Sequence, residues 1–323
     1  MIVAAAGLLL VGLGGPHLVR TRAGDPAVMA LLWGANLGLR ALTGTFLALY
    51  LVLFLPSTGL FSALTHWCWH TVLPLLATHL GFSGHSLGDF ASLLPMMLIA
   101  ASLIWVAFGI WRIARSVRRM LGWAVVGAGP AQSLIVGGTA VVVAAAGLTR
   151  PRVLVSAGAL TQLDDEELAA GLEHEHGHIL RRHRWILVYG EMCRALALFI
   201  PGTRSAWREL QLQLERDADC WAISKRHDRL ALASAIVKAA TSSVRTTAPL
   251  AGLGGRDEHL THRVAELVHP ANRAESVVRG RLLKAAALAG CLLTLGFAVI
   301  LPSAVAAGLA RPTLAGPVHP CPA

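Results

Sequence analysis

The stretch Leu172-Glu173-His174-Glu175-His176-Gly177-His178 contains the pattern H-E-x-x-H, and the fold can be inferred outward from it. On a helix, His174 and His178 are one turn apart, so both imidazoles project from one face and can bind one Zn²⁺ at about 2.0–2.1 Å. Glu175 lies beside them, where a carboxylate can act as a general base toward water. His176 points to another face. The pattern therefore predicts a histidine pair and a base at one zinc site.

The residues around the pattern predict a helix. The segment Leu163-Asp164-Asp165-Glu166-Glu167 indicates its start, because acidic residues favour the positive end of the helix dipole. Apolar residues then recur at helical spacing at Leu168, Leu172, Ile179 and Leu180. We interpret the following run, Arg181-Arg182-His183-Arg184, as a solvated or lipid-facing basic segment and not as part of a metal site.

A catalytic zinc site needs a third protein ligand and leaves its fourth position to water. The best candidate is Glu215, which lies within residues of helical composition from Ala206 to Ser224. Asp219 follows one turn later, where its carboxylate can accept the free N–H of a ligating histidine and fix its tautomer. The alternative is an exposed acidic helix face balanced by neighbouring arginines. The upstream histidine pair favours the metal site.

Together these motifs resemble those of the membrane gluzincin metallopeptidases. The resemblance rests on His174-Glu175-x-x-His178, on Glu215-x-x-Ala218-Asp219, and on the strand and helix start from Arg150 to Leu168. The chain is most similar to the M56 family (BlaR1/MecR1 type), and the M48 family (HtpX and CAAX-prenyl protease type) shares the same motif set. At motif level the resemblance covers roughly Gln132 to Leu267.

The resemblance implies a zinc metalloendopeptidase that holds one Zn²⁺. It gives these roles: ligands His174, His178 and Glu215, general base Glu175, and Asp219 as the carboxylate behind a ligand. In the families resembled, an edge strand beside the zinc helix pairs with the substrate backbone, and Arg152–Ser156 is our candidate. BlaR1-type receptors carry a penicillin-binding domain after the last membrane helix, whereas this chain ends shortly after it. We therefore expect no direct β-lactam sensing by acylation.

Composition indicates a membrane protein. Apolar residues make up 55% and charged residues 14% of the chain, whereas a soluble domain is nearer a quarter charged. Mean hydropathy is +0.60. Four apolar runs have or approach the length of a spanning helix, about 20 residues: Ile2–Val19, Val28–Leu55, Phe90–Trp111 and Leu282–Leu301. The expected fold class is an α-helical membrane protein with about four transmembrane helices and an inserted α+β gluzincin-type zinc peptidase domain.

The positions of arginine and lysine predict the orientation. They follow the first and third apolar runs and precede the fourth, whereas residues 56–89 contain none, so the positive-inside rule places both termini outside. The expected parts are residues 1–115 with three spans and an outer loop (56–89), residues 116–280 as the cytoplasmic zinc peptidase domain, residues 281–305 as the fourth span, and residues 306–323 as a short outer tail. We interpret the apolar run Leu60–Leu80 as interfacial or re-entrant, because a further span would break the charge pattern. A span there is the alternative.

The net charge of +10 favours attraction to anionic lipid headgroups. No nucleic-acid-binding motif accompanies the arginines, so no direct nucleic-acid binding is expected. Cys193 and Cys220 fall on the cytoplasmic side, where thiols stay reduced. Cys68 and Cys321 both fall outside, and a disulfide between them is left open.

Within the peptidase domain, three β-branched runs predict a small antiparallel sheet, namely Gln132–Gly137, Ala140–Ala145 and Arg152–Ser156. From Asp164 onward the pattern is helical, with a flexible loop over Thr241–Gly255 and a further helix over Leu260–Leu267. The apolar segment Ile186–Ile200 lies either in the core or against the bilayer. The residue that meets the oxyanion is left open among Tyr189, His227, His259, His262 and Arg263.

Three functions are compatible with these features. The first is cleavage of a cytoplasmic protein in signal transduction, for example of a BlaI-like transcriptional repressor. The alternative is HtpX-like quality control of membrane proteins, and a third possibility is a metal-binding receptor or scaffold without catalysis. An intact H-E-x-x-H disfavours the scaffold, which has no need of the base. Three spans before the domain and one after it favour the first function. The sequence leaves the natural substrate, the stimulus and the oligomeric state, a homo-oligomer included, undetermined.

Overall fold

The computed structural model describes residues 12–17, 24–54, 125–147, 150–245 and 256–269, with isolated helical positions between 97 and 115 and between 285 and 296. These residues form a mostly helical fold with one small sheet. The helices are α1 (Pro26–Phe54), α2 (Ala157–Gln162), α3 (Asp165–Leu180), α4 (His183–Leu196), α5 (Thr203–Ser224), α6 (Arg229–Arg245) and α7 (Arg256–Val268). The strands are β1 (Val125–Ala128), β2 (Leu134–Val136), β3 (Val143–Ala146) and β4 (Arg152–Ser156).

The sheet is mixed, with the strand order β1-β2-β4-β3. Strands β1 and β2 are antiparallel, as are β3 and β4, but β2 and β4 are parallel. The prediction of a purely antiparallel sheet is therefore wrong for one pair. The reason is that β3 lies on the far side of β4, which consequently runs in the same direction as β2. Strand β1 was not predicted.

The predicted edge strand, Arg152–Ser156, is in fact an interior strand. It is β4, which has β2 on one side and β3 on the other, and its last four residues are all buried. Strand β3 is the edge strand that faces the motif helix α3, since the two elements are in contact. The prediction failed because a short apolar run does not indicate how many neighbours a strand has.

The motif helix α3 begins as predicted. Asp164 is its N-cap and accepts a hydrogen bond from the backbone N–H of Glu167, whose side chain accepts one from the N–H of Asp164. This capping box satisfies two N–H groups that would otherwise lack partners. Helices α5 and α7 confirm the helical patterns predicted around Glu215 and over Leu260–Leu267. Helix α6 includes the first five residues of the predicted loop, 241–245, and the rest of that loop lies outside the described residues.

Helix α1 packs on α4 and α5 through an apolar cluster. Its members are Ala30, Trp33, Leu37 and Ala41 from α1, Cys193 from α4, and Ala206, Trp207, Leu210 and Leu214 from α5. Helix α4 therefore has two kinds of face. Ile186 and Leu187 pack against this cluster, whereas Trp185 and Met192 are exposed. The segment Ile186–Ile200 thus belongs only in part to the core.

Among the described residues, no helix combines the length and the apolarity that crossing a bilayer requires. Helix α1 corresponds to the predicted span Val28–Leu55. Apart from residues 12–17 and isolated positions, the other predicted spans lie outside the described residues, as do the loop 56–89, the run Leu60–Leu80, the outer tail, Cys68 and Cys321. The layout of four transmembrane helices stays a prediction.

Candidate metal centre

Helices α3 and α5 bring the two predicted histidines and the predicted glutamate together. The Nε2 atoms of His174 and His178 are 3.2 Å apart. The carboxylate of Glu215 lies 3.5 Å from His174 Nε2 and 3.6 Å from His178 Nε2. Within the described residues, this group of three is the one in which each residue can offer a ligand atom to a shared metal ion.

These distances fit a zinc ion. Ligand atoms bound to tetrahedral Zn²⁺ at about 2.0–2.2 Å lie about 3.3–3.6 Å from one another, and the three measured separations fall close to that range. Two imidazole nitrogens and one carboxylate oxygen also form a donor set that zinc accepts, with the fourth position left to water or substrate. The residues present therefore fit the metal that the sequence predicts.

A glycine within the motif permits the close approach of α3 and α5. A Cβ atom added at Gly177 would lie 3.0 Å from the ring of Trp221 on α5. The indole N–H of Trp221 donates to Glu173 Oε1 at 2.8 Å, which ties the two helices together one turn before Gly177. A larger residue at position 177 would push α5, and with it Glu215, away from the histidines.

Glu175 lies beside the ligand group without joining it. Its Oε2 accepts a hydrogen bond from the backbone N–H of Ala145 on β3 at 2.7 Å. Burial raises the pKa of Glu175, and the nearby His174 and the Ala145 N–H only partly oppose that rise. A carboxylate whose pKa is raised is better suited to take a proton from water near neutral pH.

Asp219, which was predicted to accept the free N–H of a ligating histidine, lies behind His174. Its Oδ1 is 2.9 Å from His174 Nδ1, a close contact that is poorly aligned for an N–H hydrogen bond. Burial favours the neutral imidazole, but Asp219 and Glu215 outweigh it and raise the pKa of His174 to about 10. Burial next to this cation lowers the pKa of His178 to about 3. Without metal, His174 is thus the positively charged member of the pair.

Arg263 on α7 completes the charge balance. Its guanidinium donates to Asp219 at 2.7 and 2.8 Å and lies 2.7 Å from Glu215 Oε2. Burial alone would raise the pKa values of both carboxyls, but Arg263 outweighs it, so the pKa of Glu215 lies well below its usual value and that of Asp219 falls to about 2. Since Arg263 is engaged with two carboxylates, it orients Glu215 and is not free to meet an oxyanion.

The structure also corrects the interpretation of His183. Its side chain is only 2% exposed, and its Nδ1 lies 3.0 Å from His178 Nδ1, so it is neither solvated nor lipid-facing. The buried Asp217 is its second neighbour. His183 follows His178 by five residues. On a continuous helix this separation would place it on another face, so the sequence did not indicate the contact. Among the oxyanion candidates, Tyr189 donates instead to the carbonyl of Gly34 on α1.

Comparison with known proteins agrees with this geometry. Residues 112–248 match the family model described as Peptidase family M48, a segment that includes α3 and α5 but not Arg263. Neither a curated protein nor a solved structure matches the chain significantly. The M56 family, our first choice, is not shown by this match. The match supports M48, the second family that the sequence resembles, and with it a metallopeptidase of a family that generally depends on zinc.

Proposed function

We propose that the protein is a membrane-associated zinc metalloendopeptidase of the HtpX-like kind, which degrades or trims other membrane proteins. The observation that carries the proposal is the group of His174, His178 and Glu215 with Glu175 next to it. A scaffold that only binds metal would need the three ligands but not a buried carboxylate whose pKa is raised. The M48 match favours quality control over the signalling role that the sequence analysis placed first.

In this proposal His174, His178 and Glu215 hold one Zn²⁺, with Asp219 and Arg263 fixing two of these ligands. Zinc supplies Lewis-acid chemistry when bound, since it makes water more acidic and polarises a carbonyl oxygen. Glu175 takes the proton from the attacking water and then delivers it to the leaving amine. Its link to Ala145 holds the carboxylate between the ligand group and the edge strand β3.

The outer edge of β3 is the proposed docking site for the substrate backbone. In an antiparallel pair the backbone groups of alternate residues point away from the partner strand. Ala145 directs its N–H to Glu175, so Val143, two residues earlier, directs its N–H and C=O to the same open side. An extended peptide can add to such an edge through main-chain hydrogen bonds. This replaces Arg152–Ser156 as the substrate strand.

We place the catalytic domain in the cytoplasm and both termini outside, on the arginine asymmetry of the sequence. The partners are then the lipid bilayer and a protein substrate that the domain reaches from the cytoplasmic side. Cleavage of a soluble BlaI-like repressor is the competing proposal. It requires recognition of a folded protein in solution and no membrane anchoring of the substrate.

The test uses the purified full-length chain in detergent and again in vesicles that contain anionic lipid. Endoproteolysis of a misfolded membrane protein and of a purified BlaI-like repressor is followed on gels, with and without a zinc chelator. We expect cleavage of the membrane protein, its loss with chelator and its return with added Zn²⁺. Cleavage of the repressor at one site, with the membrane protein left intact, would establish the signalling role instead. Metal binding without cleavage of either protein would support the third possibility, a metal-binding scaffold without catalysis.

A further inference from the structure

The ligand His178 is the first member of a chain of buried polar contacts that leads away from the metal centre. Its Nε2 faces the other ligands, while its Nδ1 lies 3.0 Å from Nδ1 of His183. The Nε2 of His183 lies 3.0 Å from Oδ2 of Asp217. The other oxygen of Asp217 accepts a hydrogen bond from Arg181 Nη1 at 2.6 Å.

Binding of a metal by His178 determines which nitrogen of each histidine in this series of contacts carries the proton. A histidine that binds metal through Nε2 carries its proton on Nδ1, so His178 donates and His183 must accept at Nδ1. His183 then carries its own proton on Nε2 and donates it to Asp217. The carboxylate accepts from both His183 and Arg181, so each polar atom along the chain has a partner.

The backbone is bent to make this contact. Arg182, between α3 and α4, has a φ of 56° in the left-handed region, which costs a non-glycine residue about 1 kcal/mol or more. The turn folds α4 back on α3, so that His183 returns to the side of His178. His183 and Asp217 are 2% and 5% exposed, and polar groups buried to this extent are normally hydrogen-bonded.

We propose that His183 and Asp217 are positioning residues that fix the tautomer and the ring orientation of His178 and thereby set the metal affinity of the site. The proposal rests on the proposed function only in taking the ion to be zinc. Asp219 lies behind His174 in a comparable place, so each ligand histidine has a carboxylate behind it, directly for His174 and through a second imidazole for His178.

Two substitutions of His183 distinguish a positioning role, which needs its ring nitrogens, from a packing role, which needs only its size. His183→Phe keeps a ring of similar size and removes both nitrogens. His183→Gln removes the ring but restores an acceptor and a donor, since its amide oxygen can accept from His178 and its NH₂ group can donate to Asp217. A packing role predicts that Phe is the better replacement, and a positioning role predicts that Gln is.

The experiment measures Zn²⁺ affinity by chelator competition on the purified full-length chain and records the visible absorption of its Co²⁺ form. His183→Phe should lose about 10- to 100-fold in Zn²⁺ affinity and change the Co²⁺ spectrum, whereas His183→Gln should stay within about threefold of wild type. Ser234→Ala is the matched control, because it removes the hydrogen bond of Ser234 to Glu167 at the other end of α3 and should leave both readouts unchanged. If His183→Phe fails to fold, Asp217→Asn replaces it and should lose at least about fivefold.

The proposal is overturned if the folded Phe or Asn variant binds Zn²⁺ as wild type does, or if Gln loses as much affinity as Phe. Both outcomes would leave the proposed function intact, since the wild-type chain would still bind zinc. A wild-type chain that binds no Zn²⁺ would instead overturn the proposed function and this inference with it.

Discussion

The carboxylate of Glu175 on α3 accepts a hydrogen bond from the backbone N–H of Ala145 on β3 at 2.7 Å. The proposed general base is thereby fixed to the same strand edge on which we place the substrate. The bond also identifies which backbone groups of β3 point outward, because Ala144 and Ala146 alternate with Ala145 along the β3–β4 ladder. Val143 is the next residue whose N–H and C=O both face the open side.

Replacing Val143 with proline tests the strand edge. The change removes an N–H that points away from β4, so the sheet should tolerate it better than a proline at Ala144, whose N–H points into the ladder. We expect KM for a peptide substrate to rise about tenfold, as one main-chain hydrogen bond of about 1–1.5 kcal/mol is lost. Steady-state kinetics measure this, and Val143→Ala, which keeps the N–H, is the control. An unchanged KM in the proline variant would show that substrate docks elsewhere.

Glu175→Gln should abolish proteolysis and leave zinc bound, because the base is not among the three residues that surround the metal. The amide is close in shape but cannot take a proton from water, so the rate should drop by at least about 100-fold. Turnover and metal content are measured on the same preparation. Glu173→Gln is the control, since Glu173 is two residues away and bonded to Trp221. Near-normal turnover in Glu175→Gln would disprove the assignment of the base.

Zinc binding should release about one proton at pH 7 and should strengthen about tenfold per pH unit between pH 6 and 8. In the metal-free protein the pKa of His174 is raised to about 10, so this imidazole is charged throughout that range and must lose its proton to bind. The pKa of His178 is lowered to about 3 and that of Glu215 lies well below its usual value, so neither adds a proton. Zinc affinity should therefore fall as the pH is lowered, because protons compete with Zn²⁺ for His174.

Calorimetry in buffers of different ionisation enthalpy counts the released protons. Asp219→Asn provides the comparison, because it removes a carboxylate that raises the pKa of His174 and should reduce the release. Zinc affinity that does not change with pH would contradict the charge state given to His174.

Arg263→Met should weaken zinc binding about tenfold or more. Arg263 lies 2.7 Å from Glu215 Oε2 and is bonded to Asp219, so its loss frees one proposed ligand and leaves two carboxylates without their cation. The matched variant is Arg216→Met, which breaks another α5–α7 pair, with Glu266. Both variants should unfold at lower temperature, but only Arg263→Met should lose zinc, as chelator competition will show. Equal zinc affinities in the two variants would deny Arg263 a role at the metal.

Orientation can be tested by labelling. With the native cysteines replaced, a single cysteine at the exposed position Arg226, just after α5, should be protected from an impermeant reagent in intact cells and should react after lysis. The expectation follows from the arginine asymmetry. Reaction in intact cells would place the zinc domain outside and reverse the proposed topology.

The centre of the site was predictable because its spacing is local. Two histidines one turn apart, and an acidic pair one turn apart, each fix a helix face, and helix α3 also carries a capping signal at Asp164. The histidine pair on one helix favoured Glu215 on the other as the third proposed ligand, and the resemblance to the gluzincins then agreed with that pairing.

The rest depends on tertiary contacts that no local pattern shows. The left-handed residue at Arg182 turns the chain and brings His183 to the metal site, and nothing in a run of basic residues indicates such a turn. Arg263 comes from a helix far along the chain, so sequence alone placed it in a group of five candidates. The order of the strands likewise depends on how β3 folds back on β4.

The packing of α1 has a consequence for where the enzyme begins. Leu214 belongs to the same apolar cluster as Trp33 and Leu37 of α1, and the next residue along α5 is Glu215. The helix that carries a proposed zinc ligand therefore packs on α1, which ends at Phe54, whereas the sheet begins only at Val125. A truncated protein that began at residue 112, where the peptidase match starts, would lack α1. A change in its metal affinity would then reflect the loss of this helix as well as the properties of the ligand residues. Helix α1 thus lies outside the residues that match the peptidase family but packs against the helix that carries Glu215.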